Sequence, residues 1–146
     1  MPLPEFNEEG DLPEGVYRAT LSQVVARFGL GSVQREAVTA RLRRIHELAL
    51  STGALQSLIV FGSYVSDKPD PNDVDVVLVM RDDFHPSTCP PEALSLFDHS
   101  RASVEFGASI FWIRPGMLLG RPLDEFITHW QVKRNRGRRG IVEVEA

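Results

Sequence analysis

Hydrophobic residues recur at helical spacing in the first third of the chain. Thr20 followed by Gln23 fits a capping box that opens a short helix, and Gly29 is a natural stop for it. Ser32 begins a second, longer helix, which Gly53 ends. The apolar side of this helix comprises Val38, Leu42, Ile45, Leu48 and Ala49, and its other side is filled by Arg35, Arg41, Arg43, Arg44 and Glu47.

After Gly53 the apolar residues become contiguous or alternate, which is typical of strands. The runs 58–61 and 74–80 predict two central strands, and 109–113 predicts a third. The alternating segment 141–145 predicts a final edge strand. Two further short helices are expected near 92–97 and 122–132.

This order of elements predicts an α+β fold, with a small mixed sheet and helices packed mainly on one face. We find no internal repeat and no linker, so we expect residues 1–146 to form one domain. Within it, residues 1–14 are acidic and contain three prolines and one glycine. They predict an irregular lead-in.

The composition of the chain excludes several classes of protein. A net charge of −4 argues against a protein that coats nucleic acid, because such proteins need a surplus of cations. The single cysteine, Cys89, excludes an internal disulfide, and the four histidines lack a zinc-binding spacing. No run approaches the roughly 18 apolar residues of a membrane span, and the start does not resemble a signal peptide. We therefore expect a cytoplasmic protein.

The candidate chemistry lies where the two central strands are joined. Gly62 follows the first strand and permits a tight turn where a phosphate group can approach, with Ser63 next to it. Asp73 and Asp75 open the second strand, and residues two apart on a strand share one face. Their carboxylates repel each other unless a cation lies between them, and Mg²⁺ commonly binds one or two carboxylates together with phosphate oxygens.

The segment FGSYVSDKPDPNDVDVVLV resembles the signature of the nucleotidyltransferase superfamily, whose members share a fold with DNA polymerase β. Its short spacing is most similar to the minimal bacterial nucleotidyltransferases. The flanks LPEGVYRATLSQVVARFG and GRRGIVEVE also resemble a bacterial family of nucleotidyltransferase-like proteins without an assigned function. The resemblance implies that Asp73 and Asp75 bind Mg²⁺ or Mn²⁺, and that Gly62, Ser63 and Ser66 contact a nucleoside triphosphate.

The chain departs from this superfamily at the third acid, which the resemblance places on a later strand. The predicted strand 109–113 contains no acid, and Ser109 stands near the expected position. Glu105 would share the face of Ser109 if the strand began earlier. Either Glu105 supplies the missing catalytic carboxylate, or the site is weakened or specialised. We favour the second interpretation slightly.

A cluster of cations lies near the end of the chain: Lys133, Arg134, Arg136, Arg138 and Arg139. It is either a solvated turn, a second phosphate contact or a docking surface for RNA. Trp112 and Trp130 are expected to be core residues rather than a platform on which a base stacks.

The main hypothesis is a metal-dependent nucleotidyltransferase that moves a nucleoside monophosphate from a nucleoside triphosphate to a hydroxyl of a protein, RNA or small molecule. The alternative is a catalytically weakened nucleotide-binding or regulatory module of the same fold, possessing a protein partner such as those of toxin–antitoxin pairs. A third hypothesis is a nucleic-acid-binding domain that uses the basic cluster.

Overall fold

One five-stranded mixed sheet organises residues 3–146, the part of the chain that the computed structural model describes. Met1 and Pro2 of the predicted lead-in lie outside the described residues. The strands are β1 (Val16–Ala19), β2 (Leu55–Phe61), β3 (Asp75–Met80), β4 (Ser109–Ile113) and β5 (Ile141–Glu145).

The strands lie in the order β1-β5-β2-β3-β4. The two outer pairs, β1 with β5 and β3 with β4, are parallel, whereas β2 is antiparallel to both β5 and β3. The prediction that 141–145 forms an edge strand was therefore wrong. Strand β1, which the sequence analysis did not identify, takes the edge position beside β5 and so covers one of its sides.

The helices are α1 (Leu21–Phe28), α2 (Val33–Ser51), α3 (His99–Phe106) and α4 (Leu123–His129). The predicted capping box of α1 is confirmed: the Gln23 amide donates to Thr20 Oγ1 over 3.1 Å, and the Thr20 amide donates to Gln23 Oε1 over 2.8 Å. The predicted helix at 92–97 is a 3₁₀ helix, Pro91–Phe97, and α3 was not predicted.

The two faces of the sheet are covered unequally. Alternate residues of β2 and β3, such as Leu58 and Leu78, join a large core with buried residues of α1, α2 and α3. The residues between them, such as Ile59 and Val77, join a smaller core with Ile127 of α4. This arrangement fits the predicted α+β class.

Residues before β1 are tied to the body of the protein. Leu12 is fully buried in the larger core, and Asp11 forms an isolated antiparallel bridge with Ser66. Gly140, immediately before β5, donates its amide hydrogen to the carbonyl of Leu12 over 2.8 Å. Within residues 3–146, no helix is both long enough and apolar enough to cross a membrane.

Candidate functional site

The two aspartates lie at one end of the central strands. Asp75 is the first residue of β3 and pairs with Phe61, the last residue of β2. Asp73 and Asp75 both line a cleft of about 480 Å³. The alternation along β3 places Asp75 on the same face as Val77, which is the face that α4 covers. The candidate site therefore opens on the more thinly covered side of the sheet.

Gly62 makes a close approach to the Asp75 carboxylate possible. Its φ of +81° is a conformation that glycine adopts readily and other residues rarely do. A Cβ atom at this position would lie 3.0 Å from Asp75 Cγ and would overlap one carboxylate oxygen. Ser63 begins the 3₁₀ turn Ser63–Val65 and lines the cleft. The turn and the aspartate pair thus meet, as the sequence predicted.

Ser66, which the resemblance implied as a nucleotide contact, lies outside the cleft lining. It is buried, and its hydroxyl donates to the carbonyl of Ser63 over 2.6 Å and accepts from the amide of Lys68 over 3.2 Å. Since both hydrogen bonds lie within the loop, Ser66 shapes the turn that presents Ser63. The structure does not bring it to the position of a ligand contact.

A buried arginine holds this loop against α2. The Arg35 guanidinium donates to the carbonyls of Tyr64 (2.9 Å), Ser66 (2.6 Å) and Lys68 (2.7 Å), and also to that of Phe28 at the end of α1 (3.0 Å). The assignment of Arg35 to the polar side of α2 was therefore wrong, because the carbonyls of a distant loop accept hydrogen bonds from its buried guanidinium. Arg35 fixes the path of the chain between β2 and the aspartates.

Ser109 occupies the position beside Asp75 where the resemblance places a third acid. The two residues are partners in the parallel pairing of β3 with β4. Burial, followed by the charge of Asp73, raises the pKa of Asp75 from 3.8 to about 6, although a hydrogen bond from Ser109 and the charges of Arg139 and Arg134 oppose the rise. Asp75 is therefore a carboxylate whose charge is not fully compensated.

Glu105 is not brought to this cleft. The idea that it shares a face with Ser109 required β4 to begin early, but β4 begins at Ser109 and Glu105 lies on α3. Gly107, in the left-handed conformation with φ +58°, ends α3 and separates the two residues by a change of direction. Glu105 is exposed and lines a different surface depression beside Arg41 and Arg44 of α2.

Cations from two loops surround the aspartates. Lys68 follows the turn after β2, and Lys133, Arg134 and Arg139 come from the loop between α4 and β5. This basic loop folds back on itself, since Val132 forms an isolated bridge with Arg138 and the Lys133 amide donates to the carbonyl of Gly137. A chain with a net charge of −4 therefore concentrates positive charge around its candidate site.

A buried carboxylate anchors the basic loop. Asp11, only 3% exposed, accepts hydrogen bonds from Lys133 Nζ over 2.6 Å and from Arg139 Nη1 over 3.1 Å. Burial raises the pKa of Asp11, but the bonds and charges of Lys133 and Arg139 outweigh burial and leave it below its usual value. Arg138 also pairs with Glu14 over 2.6 Å. The residues before β1 thus orient cations that line the cleft.

The comparison with protein-family models decides the family. The matched model spans residues 4–145 and is described as DUF6932, a family of unknown function. The chain belongs to DUF6932. No curated protein and no solved structure matches it.

In this DUF6932 protein, sequence reasoning missed Asp11 and Lys68. Asp11 accepts hydrogen bonds from Lys133 and Arg139, which follow it by 122 and 128 residues. No local sequence pattern predicts a contact between residues so far apart in the chain. It could have been suspected only from its place beside an apolar residue, Leu12, in an otherwise polar segment. Lys68 stands in a stretch that reads as a turn and carries no periodic signal.

Trp130 is neither fully core nor fully exposed. It packs against the smaller core and also lines a groove beside the cleft, whereas Trp112 packs against the larger core on the opposite face. The expectation of a core role therefore describes Trp112 better than Trp130.

Proposed function

We propose that this DUF6932 protein is a divalent-metal-dependent nucleotidyltransferase, acting in the cytoplasm, where nucleoside triphosphates and Mg²⁺ are both abundant. The observation that carries the proposal is the junction of the Gly62–Ser63 turn with the Asp73–Asp75 pair in one cleft, surrounded by cations. A paired carboxylate site beside a cationic surface suits a metal together with a polyphosphate.

The residues present fit Mg²⁺ or Mn²⁺. Within residues 3–146 no group of three His, Cys, Asp or Glu side chains forms a metal site, but Mg²⁺ needs only one or two carboxylates when substrate phosphates and water complete its shell. The raised pKa of Asp75 supports this fit, because it indicates a pair that lacks a full counter-charge. Asp73 and Asp75 would hold the metal, which when bound neutralises charge on the reacting phosphate oxygens.

The other cleft residues would bind and orient the triphosphate. Lys68, Lys133, Arg134 and Arg139 supply positive charge for the phosphates, and Ser63 supplies a hydroxyl beside them. The acceptor hydroxyl would attack the α-phosphorus in line and lose its proton to water in the cleft. The bond to the β-phosphate oxygen would break, and pyrophosphate would leave. The acceptor is a protein, an RNA or a small molecule.

One observation favours a second candidate function, a nucleotide-binding or regulatory module with weak or no catalysis. Ser109 stands beside Asp75 where the superfamily carries an acid that helps activate the acceptor. Apart from Asp73 and Asp75, none of the described side chains that line the cleft is acidic. A serine hydroxyl can donate a hydrogen bond to the carboxylate, but it cannot act as the base that removes a proton from the acceptor at neutral pH. Such a module would act through a protein partner, for example that of a toxin–antitoxin pair.

Thermal unfolding with each nucleoside triphosphate, with and without Mg²⁺ or Mn²⁺, tests both candidates. A ligand at 100 times its dissociation constant adds about 2.7 kcal/mol, a shift of roughly 5–10 °C for a chain of this size. We expect a metal-dependent shift in the wild type that the Asp73→Asn, Asp75→Asn double variant lacks. Absence of any shift in the wild type would contradict the transferase and any nucleotide-binding module, and would leave only a module that acts through a protein partner.

Catalysis is tested on the same proteins by incubating them with radiolabelled nucleotide and a cell extract from which small molecules have not been removed. Label transfer that requires Asp73 and Asp75 supports the transferase. Metal-dependent binding without transfer supports the module instead. Installing the missing acid, Ser109→Asp, should then raise transfer if the absent carboxylate is what limits it.

A further inference from the structure

A groove with an aromatic wall runs beside the cleft on the same face of the sheet. Its volume is about 290 Å³. It shares Asp75 and Ser109 with the cleft, as well as the cations Lys133, Arg134 and Arg139. The rest of its lining is largely aromatic: Phe61, His99, Phe111 and Trp130, with Val132. Cleft and groove are therefore parts of one continuous depression.

The aromatic wall is built from four separate parts of the chain, of which α3 contributes His99. Phe61 ends β2, Phe111 lies on β4, and Trp130 follows α4. The Trp130 ring lies 4.8 Å from that of Phe61 and 5.1 Å from that of Phe111, centroid to centroid, at tilts of 45° and 41°. His99 stacks on Phe111 at 4.8 Å and 28°. These distances are those of mutually packed aromatic rings.

The aromatic wall of the groove offers ligands apolar surface more than hydrogen bonds. Phe111 is 38% exposed, and Val132 is 45% exposed. Trp130 is half-buried, but its indole nitrogen is fully buried and has no hydrogen-bond partner among the described residues. The accessible part of this side chain is therefore carbon. The His99 Nδ1 atom lies 3.1 Å from the Ile110 carbonyl, to which it donates.

We propose that this aromatic groove binds the planar base of a nucleotide whose phosphates occupy the adjoining cationic cleft. This inference rests on the proposed function, because it assigns the phosphates to that cleft. The depression has an aromatic end and a strongly cationic end, and a nucleotide has an aromatic end and a polyanionic end. Few other small metabolites combine the two features, so the charge and shape of the site together select this class.

Recognition by aromatic surface has a consequence for specificity. Every nucleobase presents a π face, so stacking tolerates different bases. We therefore expect removal of the base to weaken binding more than exchange of one base for another. Stacking of one base corresponds to roughly a 5- to 150-fold gain in affinity.

Calorimetric titrations with ATP, CTP, GTP, UTP and inorganic tripolyphosphate, each with Mg²⁺, test the inference. We expect each nucleotide to bind at least about tenfold more tightly than tripolyphosphate. Phe111→Leu and Trp130→Leu should reduce ATP affinity towards that of tripolyphosphate and leave tripolyphosphate affinity unchanged. Phe126→Leu is the matched control, because Phe126 packs against Trp130 but does not line the groove.

The outcomes separate the groove from the cleft. If tripolyphosphate binds and ATP binds no more tightly in the wild type, the groove inference is wrong while the cationic cleft stands. If neither binds, the proposed function and the groove inference both fail. An unchanged ratio of ATP to tripolyphosphate affinity in well-folded Phe111→Leu also contradicts the inference.

A second measurement tests the inference without changing any residue that lines the groove. Trp112→Phe leaves Trp130 as the single tryptophan of the chain. We expect ATP with Mg²⁺ to quench or shift its fluorescence, and tripolyphosphate with Mg²⁺ to have a much smaller effect. Equal responses to saturating ATP and tripolyphosphate would overturn the placement of the base beside Trp130.

Discussion

At the scale of single residues, Gly62 and Asp75 act as one unit. The glycine has no side chain where the carboxylate lies, and its backbone adopts φ +81°. Glycine is therefore required at position 62 for two separate reasons, the backbone conformation and the space that the carboxylate occupies. The second reason concerns the candidate site directly, because any Cβ displaces the Asp75 carboxylate.

We predict that Gly62→Ala lowers the affinity for ATP with Mg²⁺ at least about tenfold, since a displaced carboxylate loses its place beside Asp73. The backbone conformation alone, φ +81° with ψ −164°, is almost restricted to glycine and costs the alanine variant on the order of 1–3 kcal/mol of folding free energy. Gly120→Ala is the control, because Gly120 has a similar φ of +88° and a Cβ added there would meet no atom within 4 Å. Equal ATP affinity in the two alanine variants would contradict the steric role of Gly62.

The raised pKa of Asp75 predicts how stability depends on pH. The folded chain binds this proton more tightly than the unfolded chain, because the pKa rises from 3.8 to about 6 on folding. The resulting stabilisation is fully present below about pH 4 and is lost as the pH rises through 6. At neutral pH the ionised Asp75 therefore lowers the stability of the metal-free protein.

We predict that Asp75→Asn stabilises the metal-free protein at pH 7.5 by about 1–2 kcal/mol after allowance for solvent screening, or about 3–7 °C in Tm. The gain should shrink as the pH falls below 6, where Asp75 is already protonated. Thermal unfolding in a chelator across pH 4.5–8 measures it. Glu8→Gln is the control, because it neutralises a carboxylate that is exposed and lies outside the cleft. A gain that is equal at pH 5 and pH 7.5 would contradict the pKa argument.

At the scale of elements, the basic loop between α4 and β5 depends on the segment before β1. Lys133 and Arg139 both lie within this loop, and both bind the buried carboxylate of Asp11. The bridge of Arg138 to Glu14 is more exposed. Removal of the buried carboxylate leaves Arg139 without its carboxylate partner and Lys133 with only a 3.6 Å contact to an exposed glutamate. Loss of an exposed ion pair, by contrast, costs little stability.

We predict that Asp11→Asn lowers the free energy of unfolding by about 3–5 kcal/mol and weakens tripolyphosphate binding about tenfold, as the loop loses its fixed position. Because the pKa of Asp11 is lowered on folding, its contribution is present above the unfolded value and disappears as the pH falls through the folded value. This dependence is opposite in sign to that of Asp75.

Denaturant unfolding at neutral pH and calorimetry with tripolyphosphate measure the two effects. Glu14→Gln is the matched control, since it removes the exposed bridge to Arg138 and should change either quantity only slightly. If Asp11→Asn folds stably and binds tripolyphosphate as the wild type does, the loop is held by other contacts.

At the scale of the whole molecule, the last strand closes the fold. β5 lies between β1 and β2, so the first and last strands of the described residues pair within one sheet. Val142 and Val144 are buried in the larger core. β5 also follows directly on the basic loop, which therefore has a rigid strand at one end.

We predict that backbone amides of Val142–Val144 exchange with solvent as slowly as those of β2, because strands on both sides cover β5. Amides of the edge strand β1, which pairs on one side only, should exchange faster. Hydrogen exchange followed by NMR checks the comparison within one sample. Exchange of β5 as fast as that of β1 would contradict the interior position.

The sequence by itself determined the local features of this protein. The Thr20–Gln23 capping box and the strand predicted at 74–80, which the structure shows as β3 (Asp75–Met80), depend on residues that are close together in the chain. Such features follow from backbone geometry and short-range hydrogen bonds, so the local residue pattern predicts them directly.

Only the tertiary structure decided how distant segments combine. In the folded protein Arg35 is buried and donates hydrogen bonds to the carbonyls of a loop, Glu105 lies on α3, and Asp11 accepts a hydrogen bond from Lys133. The alternating segment 141–145 lies in the interior of the sheet rather than at the predicted edge. Alternating hydrophobicity shows which face of a strand is buried but not which strands flank it. A polar side chain likewise gives no sign of a partner more than a hundred residues away, because that pairing exists only once the chain has folded.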